Sequence, residues 1–204
     1  MIFVAPLLVS GSLLATPILT FNTTTALSGN NANQTVGWEF DVLSPITVTG
    51  LGWFDQGADG LQMAHTVGIW DSAGDLLTSA VVQQGTTDPL DGLFRTAAIT
   101  SVVLMPGTDY IIGGQNFSSN TEQLAFGVPP TTAPSISFVG GEYSGIDNLF
   151  ERPTSATANT DCCWGPSFSV APGVTSVPEP RGTVALLTTG VVLMLLVRRR
   201  LVRA

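Results

Sequence analysis
The chain has 204 residues, 44% hydrophobic and only 11% charged, with 15 acidic against 7 basic side chains and a net charge of -8. Apolar content this high excludes a fully disordered chain. All seven basic residues are Arg, five of them in the last two dozen positions, so the interior could not neutralise a run of phosphates and nucleic acid is not an expected partner. One His and two Cys exclude most metal-cluster chemistry and any multi-disulfide scaffold.

The first element is apolar. Residues 1–19 read MIFVAPLLVSGSLLATPIL without a charge, followed by the polar stretch FNTTTALSGNNANQT. This is the apolar region of a secretory signal without its basic start, and residues 1–26 are expected to be an export leader. Small-residue rules suit cleavage after Ser12 or Ala26, and less well after Ala15.

Residues 31–170 are expected to form one antiparallel β domain. Val36, Trp38, Phe40 and Val42 alternate with Thr35, Gly37, Glu39 and Asp41, which is the period of a half-buried strand. In Ile46 to Asp55 the apolar set shifts by one residue near Gly50, implying a bulge or a strand buried on both faces. His65 to Trp70 and Leu76 to Val82 flank a hairpin loop, Asp71 to Asp75. Phe94 to Ile99, Val102 to Met105 and Asp109 to Gly113 follow, the last two joined by Pro106-Gly107, a type II turn pattern. Shorter strands are expected at Gln123 to Phe126, Ser135 to Val139 and Ser167 to Val170, while Ala133 to Thr160 gives no clear strand pattern. Strands spaced by Gly, Pro, Asn and Asp turns predict an all-β, antiparallel two-sheet sandwich of jelly-roll type. Its expected core includes Trp38, Phe40, Trp53, Ile69, Trp70, Phe94 and Tyr110.

The chain closes with a Pro-rich linker over residues 171–182, an uncharged apolar run from Thr183 to Val197, and an Arg-rich tail over 198–204. A helix over the run would be roughly 23 Å long, short of a hydrocarbon core of about 30 Å. Arg198, Arg199 and Arg200 follow at once; positive flanks mark the cytoplasmic side, and Arg can snorkel to cover the mismatch. A single short transmembrane helix, C-terminus inside, is the expectation.

Pro178, Glu179 and Pro180 precede this helix. Pro-Glu-Pro, short apolar helix and Arg cluster, in that order, resemble the PEP-CTERM sorting signal of exported bacterial proteins. The resemblance implies recognition by an exosortase-type membrane transpeptidase, removal of the tail, and delivery to the cell surface or its polysaccharide. The stretch from Val36 to Asn116 (VGWEFDV, ITVTGLGWFD, HTVGIWDSAGDLL, LMPGTDYIIG) resembles an uncharacterised β-sandwich domain of bacterial secreted proteins. That resemblance implies an accessory, binding or structural role and brings no catalytic residues.

Candidate chemistry is sparse, and no cofactor is expected. His65 would have to carry any Ser-His-Asp triad, but no G-x-S-x-G elbow accompanies it, so a solvated or strand-end His is the simpler reading. Glu39 and Asp41, about 7 Å apart on one strand face, could serve a glycan hydrolase but are more simply solvated. Asp55 and Asp59, with Gly60, partly match a calcium loop, although position 12 is Thr66 where a bidentate Glu belongs. Cys162 and Cys163 lack zinc spacing. They could bond to each other, pair with another molecule or stay reduced, and ordinary disulfide geometry disfavours the first. The expected protein is an exported, surface-sorted, non-catalytic component of the envelope or extracellular matrix, binding polysaccharide. The alternative is a secreted hydrolase working through Glu39 and Asp41.

Overall fold
The computed structural model describes residues 15–24, 27–29, 33–117, 124–145, 149–158 and 161–172, and every regular element among them is a strand. In chain order these are β1 (Thr16–Pro17), β2 (Leu19–Thr20), β3 (Leu27–Gly29), β4 (Gln34–Val42), β5 (Ile46–Phe54), β6 (His65–Trp70), β7 (Leu76–Val82) and β8 (Leu90–Asp91). Then come β9 (Phe94–Leu104), β10 (Gly107–Asn116), β11 (Leu124–Phe126), β12 (Thr131–Thr132), β13 (Ile136–Tyr143), β14 (Ser155–Ala156) and β15 (Pro166–Val170). Among the described residues, one sheet has the order β1-β15-β5-β9-β8 and the other β14-β13-β4-β10-β6-β7, with small pairs β11-β3 and β12-β2 beside them. All pairings are antiparallel.

Alternation builds the core. Val36, Trp38, Phe40 and Val42 are buried along β4, while Glu39 and Asp41 stay half-exposed. Trp38 stacks on Phe168 of the other sheet at 5.9 Å between ring centroids, and its Nε1 donates to Pro166 O at 2.9 Å. One side chain thus joins the sheets by apolar contact and also satisfies its own polar atom. Trp164 is fully buried against Phe138 and donates Nε1–H to Val128 O at 3.2 Å. In β5 both readings of the shift near Gly50 hold: a bulge lies between Val48 and Gly50 against β9, and the strand is buried on both faces from Gly50 onward.

Several boundaries move. Thr16 to Phe21, expected within the leader, belongs to the sandwich, so its lower bound is residue 16 rather than 31. Ile18, Leu19 and Phe21 are buried, β1 pairs with β15, and Ile18 N donates to Phe168 O at 3.0 Å. An apolar segment this well matched to the core is indistinguishable by composition from a leader. Phe94 to Leu104 is one strand, and Gly107 opens β10 instead of closing a type II turn, because β9 and β10 belong to different sheets. Tyr110 is only half-buried; it stacks on Phe40 at 5.7 Å and donates its hydroxyl to Met105 O at 3.1 Å. Within Ala133 to Thr160, β13 runs through Gly140-Gly141 to Tyr143.

On the outer face of the larger sheet, Gly37, Gly113 and Gly68 lie side by side across β4, β10 and β6. The segment 149–154 lies along this strip. A Cβ on Gly113 would come within 2.9 Å of Pro153, and one on Gly68 within 2.8 Å of Phe150, which also packs on Trp70 at 5.1 Å. Thr35 Oγ1 fastens the segment by donating to Leu149 O (2.9 Å) and accepting from Glu151 N (3.2 Å). The unit Gly173–Ala204, which holds the expected sorting motif, apolar run and Arg cluster, lies outside the described residues. Among the described residues no helix is long and apolar enough to cross a membrane.

Candidate functional site
β5 ends at Phe54 and delivers Asp55 into the loop that carries the calcium-like pattern. Asp55 is only 3% exposed, and its Oδ2 accepts Arg95 Nε at 2.6 Å. Gly60 N donates to both carboxylate oxygens, at 3.2 and 3.1 Å. The carboxylate is therefore committed to a buried ion pair and a loop amide, which corrects the calcium expectation for Asp55. Asp59 is exposed, and among the described residues no three His, Cys, Asp or Glu side chains converge as a metal set. Arg95 also donates Nη2 to Ala58 O (3.1 Å) and Nη1 to Asp88 O (3.4 Å), tying two loops together. The loop takes left-handed backbone at Gly57 (φ 92), Ala58 (φ 59) and Gly60 (φ 108); at Ala58 this costs energy that the Arg95 contact helps to offset.

Beside this braced loop opens a cleft of about 240 Å³, lined among others by Thr23, Phe54, Gln56, Leu90, Leu93 and Ala125. Its walls are mostly apolar with a few polar groups at the loop, the usual balance of a small-molecule site, though its volume lies below the roughly 300–1,000 Å³ usual for one. Glu39 and Asp41 do not line it.

These two acids sit instead on the outer face of the larger sheet, with Asp109 of β10 and Glu142 of β13 as neighbours. Asp109 N donates to Asp41 Oδ1 at 3.4 Å. Burial first, then a hydrogen bond with Asp109 and the charges of Asp109, Glu142 and Asp41, push the Glu39 carboxyl above its ordinary range. Burial also raises Glu142, opposed by the positive charge of Arg152. The structure thus brings the expected pair into a larger carboxylate cluster.

A family model for a domain of unknown function, DUF4082, matches residues 20–161. The chain belongs to the DUF4082 family. No curated protein and no solved structure matches. The matched span of the DUF4082 domain reaches well beyond the Val36 to Asn116 stretch that carried the sequence resemblance, and begins inside β2.

In this DUF4082 domain His65 is fully buried rather than solvated. Its ring stacks on Trp53 at 4.0 Å with planes 5° apart. Its Nδ1 lies 2.9 Å from Gln115 O, and since a carbonyl only accepts, Nδ1 carries the proton of the neutral ring. Burial pushes the imidazole down to about 4, against the weaker upward pull of that carbonyl. Cys162 and Cys163 form a disulfide with each other, the option that ordinary geometry disfavours, and Cys163 takes φ 75. Sequence reasoning missed Arg95 altogether. The available signal was scarcity: with only Arg95 and Arg152 basic between residues 31 and 177, a buried carboxylate had few possible partners.

Proposed function
We propose that this DUF4082 protein is exported and sorted to the cell surface, and that it acts there as a non-catalytic component of the envelope or extracellular matrix. The observation that carries the reading is the order of parts beyond Val170: Pro178-Glu179-Pro180, fifteen uncharged residues from Thr183 to Val197, then Arg198 to Arg200. Pro178 and Pro180 disfavour helix at the residues before them, which suits the extended substrate that the cleft of a membrane transpeptidase of exosortase type would need. The apolar run anchors the chain in the inner membrane until transfer, with the Arg cluster on the cytoplasmic side. The leader falls before Thr16, with cleavage after Ser12, because a cut after Ala26 would remove buried Ile18, Leu19 and Phe21.

The ligand class that suits the cleft beside Asp55 to Gly60 is a polysaccharide, met through a single sugar-sized subsite with an apolar wall and a polar rim. Support for the jelly-roll form comes from the ribbon in which β4 runs against β10 and β5 against β9, crossing from one sheet to the other. The decisive experiment is fractionation with mass spectrometry of both mature ends, in cells with and without the sorting enzyme. The expected result is a start at Leu13 and loss of the tail only when the enzyme is present; an unprocessed chain in the cytoplasm would overturn the reading.

A second reading, a glycan hydrolase, is favoured by one observation. The raised Glu39 carboxyl, hydrogen-bonded with Asp109, is the state a general acid needs. Turnover of surface glycans abolished by Glu39→Gln would establish it.

A further inference from the structure
The described chain leaves the sandwich at one end of β5, the end away from the cleft. Val170 pairs with Val48, and Ala171 N donates to Thr47 O at 2.8 Å. The β4–β5 turn and the β9–β10 link lie side by side there, because Val42 pairs with Gly107 and Ile46 with Leu104. Three large apolar side chains of this tip face water: Leu43 is 59% exposed, Val103 56% and Met105 57%. Pro45 and Pro106, one in each connection, are exposed beside them and carry no N–H to be left unpaired in a less polar medium. Singly exposed apolar residues are ordinary; three gathered at the exit of the chain are a patch with a direction.

We propose that this tip is a membrane foot: Leu43, Val103 and Met105 rest in the interfacial layer of the bilayer that holds Thr183 to Val197. The proposal deepens, and rests on, the anchored reading above. Lipid is the occupant because the chain beyond the exit leads to an apolar run. Residues 173–182 can span at most roughly 35 Å before that run begins, so a bilayer is within tether reach of this tip whatever path the linker takes. Residues at the tip then shed apolar surface into the interface without the ordering cost of recruiting a free partner. The opposite end of β5, where the cleft opens, is roughly 26 Å away along the strand, so the foot would turn the cleft away from the membrane. Asp41 and Asp109 stand behind the tip with the Asp109 amide on the Asp41 carboxylate. Their charge makes the foot suited to zwitterionic rather than anionic headgroups.

The test uses the full chain reconstituted in phosphatidylcholine vesicles, with an environment-sensitive fluorophore placed through Leu43→Cys or Met105→Cys. Val81→Cys, exposed at the cleft end of β7, serves as the control. Cys162 and Cys163 are bonded to each other and do not compete for label under non-reducing conditions. Quenchers carried on lipid near the headgroup should quench the two tip probes several-fold more than the Val81 probe. Met105→Asp in the Leu43-labelled chain should lower that quenching. Adding phosphatidylglycerol should lower it too, and salt should restore it. Equal quenching at all three positions in chains that float with the vesicles overturns the foot and leaves the anchor standing. Shielding of the tip probes that grows with protein density but not with lipid quencher means a second copy covers the tip, which also overturns it. Failure of the chain to float overturns the anchored reading and the foot together.

Discussion

Phe54 and Asp55 at one end of β5 enter a loop held by a buried charge pair, whereas Ile46 at the other end starts from a Pro turn beside water-exposed Leu43 and Met105. The cleft end is over-determined: Arg95 bonds to Asp55, Ala58 and Asp88, and Phe21 packs edge-on against Phe54 at 5.2 Å from the N-terminal segment. The exit end presents side chains that nothing in the domain requires. Fixed geometry is thus concentrated where a ligand would be read, and unpartnered apolar surface gathers where the chain departs.

The largest expected effect comes from removing the N-terminal strands. A chain starting after Ala26 lacks Ile18, Leu19 and Phe21, whose burial is worth about 5–9 kcal/mol together. Against a total of about 5–15 kcal/mol, it should be unfolded or nearly so. A chain starting at Leu13 should unfold cooperatively in urea and keep its β-type circular dichroism. Cooperative unfolding of the shorter chain at the same midpoint would show that the cleft end does not depend on this segment.

Arg95→Met comes next. It leaves the Asp55 charge buried without its partner, at a cost of about 3–5 kcal/mol. Asp55→Asn together with Arg95→Met should recover part of that loss, and both forms should lose the shape of the cleft. At the exit end, Met105→Ser should move the stability read from urea unfolding by less than about 0.5 kcal/mol. Equal costs at the two ends would erase the contrast between them.

His65, stacked on Trp53 of β5, adds a dependence on pH. Its folded value, lowered to about 4, lies below the unfolded value of 6.5, so between these limits the unfolded chain binds more protons. Its contribution is fully present above pH 6.5 and is lost as pH falls toward 4, by at most about 3 kcal/mol. The raised Glu39 and Glu142 act in the opposite sense, favouring the folded state as pH falls through their range. Urea unfolding followed across this range should therefore show a loss of stability toward acid that His65→Gln flattens. A slope unchanged by that substitution would mean the imidazole is not the group titrating.

A small effect is also expected at the disulfide. Linking adjacent residues closes a minimal loop, so Cys162→Ser with Cys163→Ser should cost about 1 kcal/mol. A thermal melt reads the cost, and alkylation without reductant should label neither Cys in the native chain.

The sheets were legible in the sequence to the extent that their strands alternate. β4, β5, β6 and β7 could be bounded almost to the residue, because one face is apolar and Gly or Asp marks the turns. What stayed hidden has physical reasons. Thr16 to Phe21 carries no charge and no period, since a segment filling a core edge and a leader obey the same composition rule. β13 crosses Gly140 and Gly141, which weaken strand propensity, while its partner β4 supplies the bulk opposite them. The cleft was out of reach because its brace joins Asp55 to Arg95 across three intervening strands, and pairing at that separation is a property of topology. The burial of His65 depends on Trp53 in the other sheet, a contact that no local pattern encodes.

The scarcity of basic residues has a consequence for how proteases meet the chain. Trypsin-like proteases cut after Lys or Arg, and not where Pro follows. Between Met1 and Pro180 the chain has no Lys, and its two Arg are Arg95 and Arg152, the second followed by Pro153. The one cleavable bond is therefore Arg95–Thr96, within β9, and its recognition side chain is 9% exposed and clamped on Asp55. Up to Pro180, an enzyme of that specificity finds nothing to grip until the sandwich opens, so its rate of digestion within that span reads out the opening of the fold rather than the accessibility of any loop.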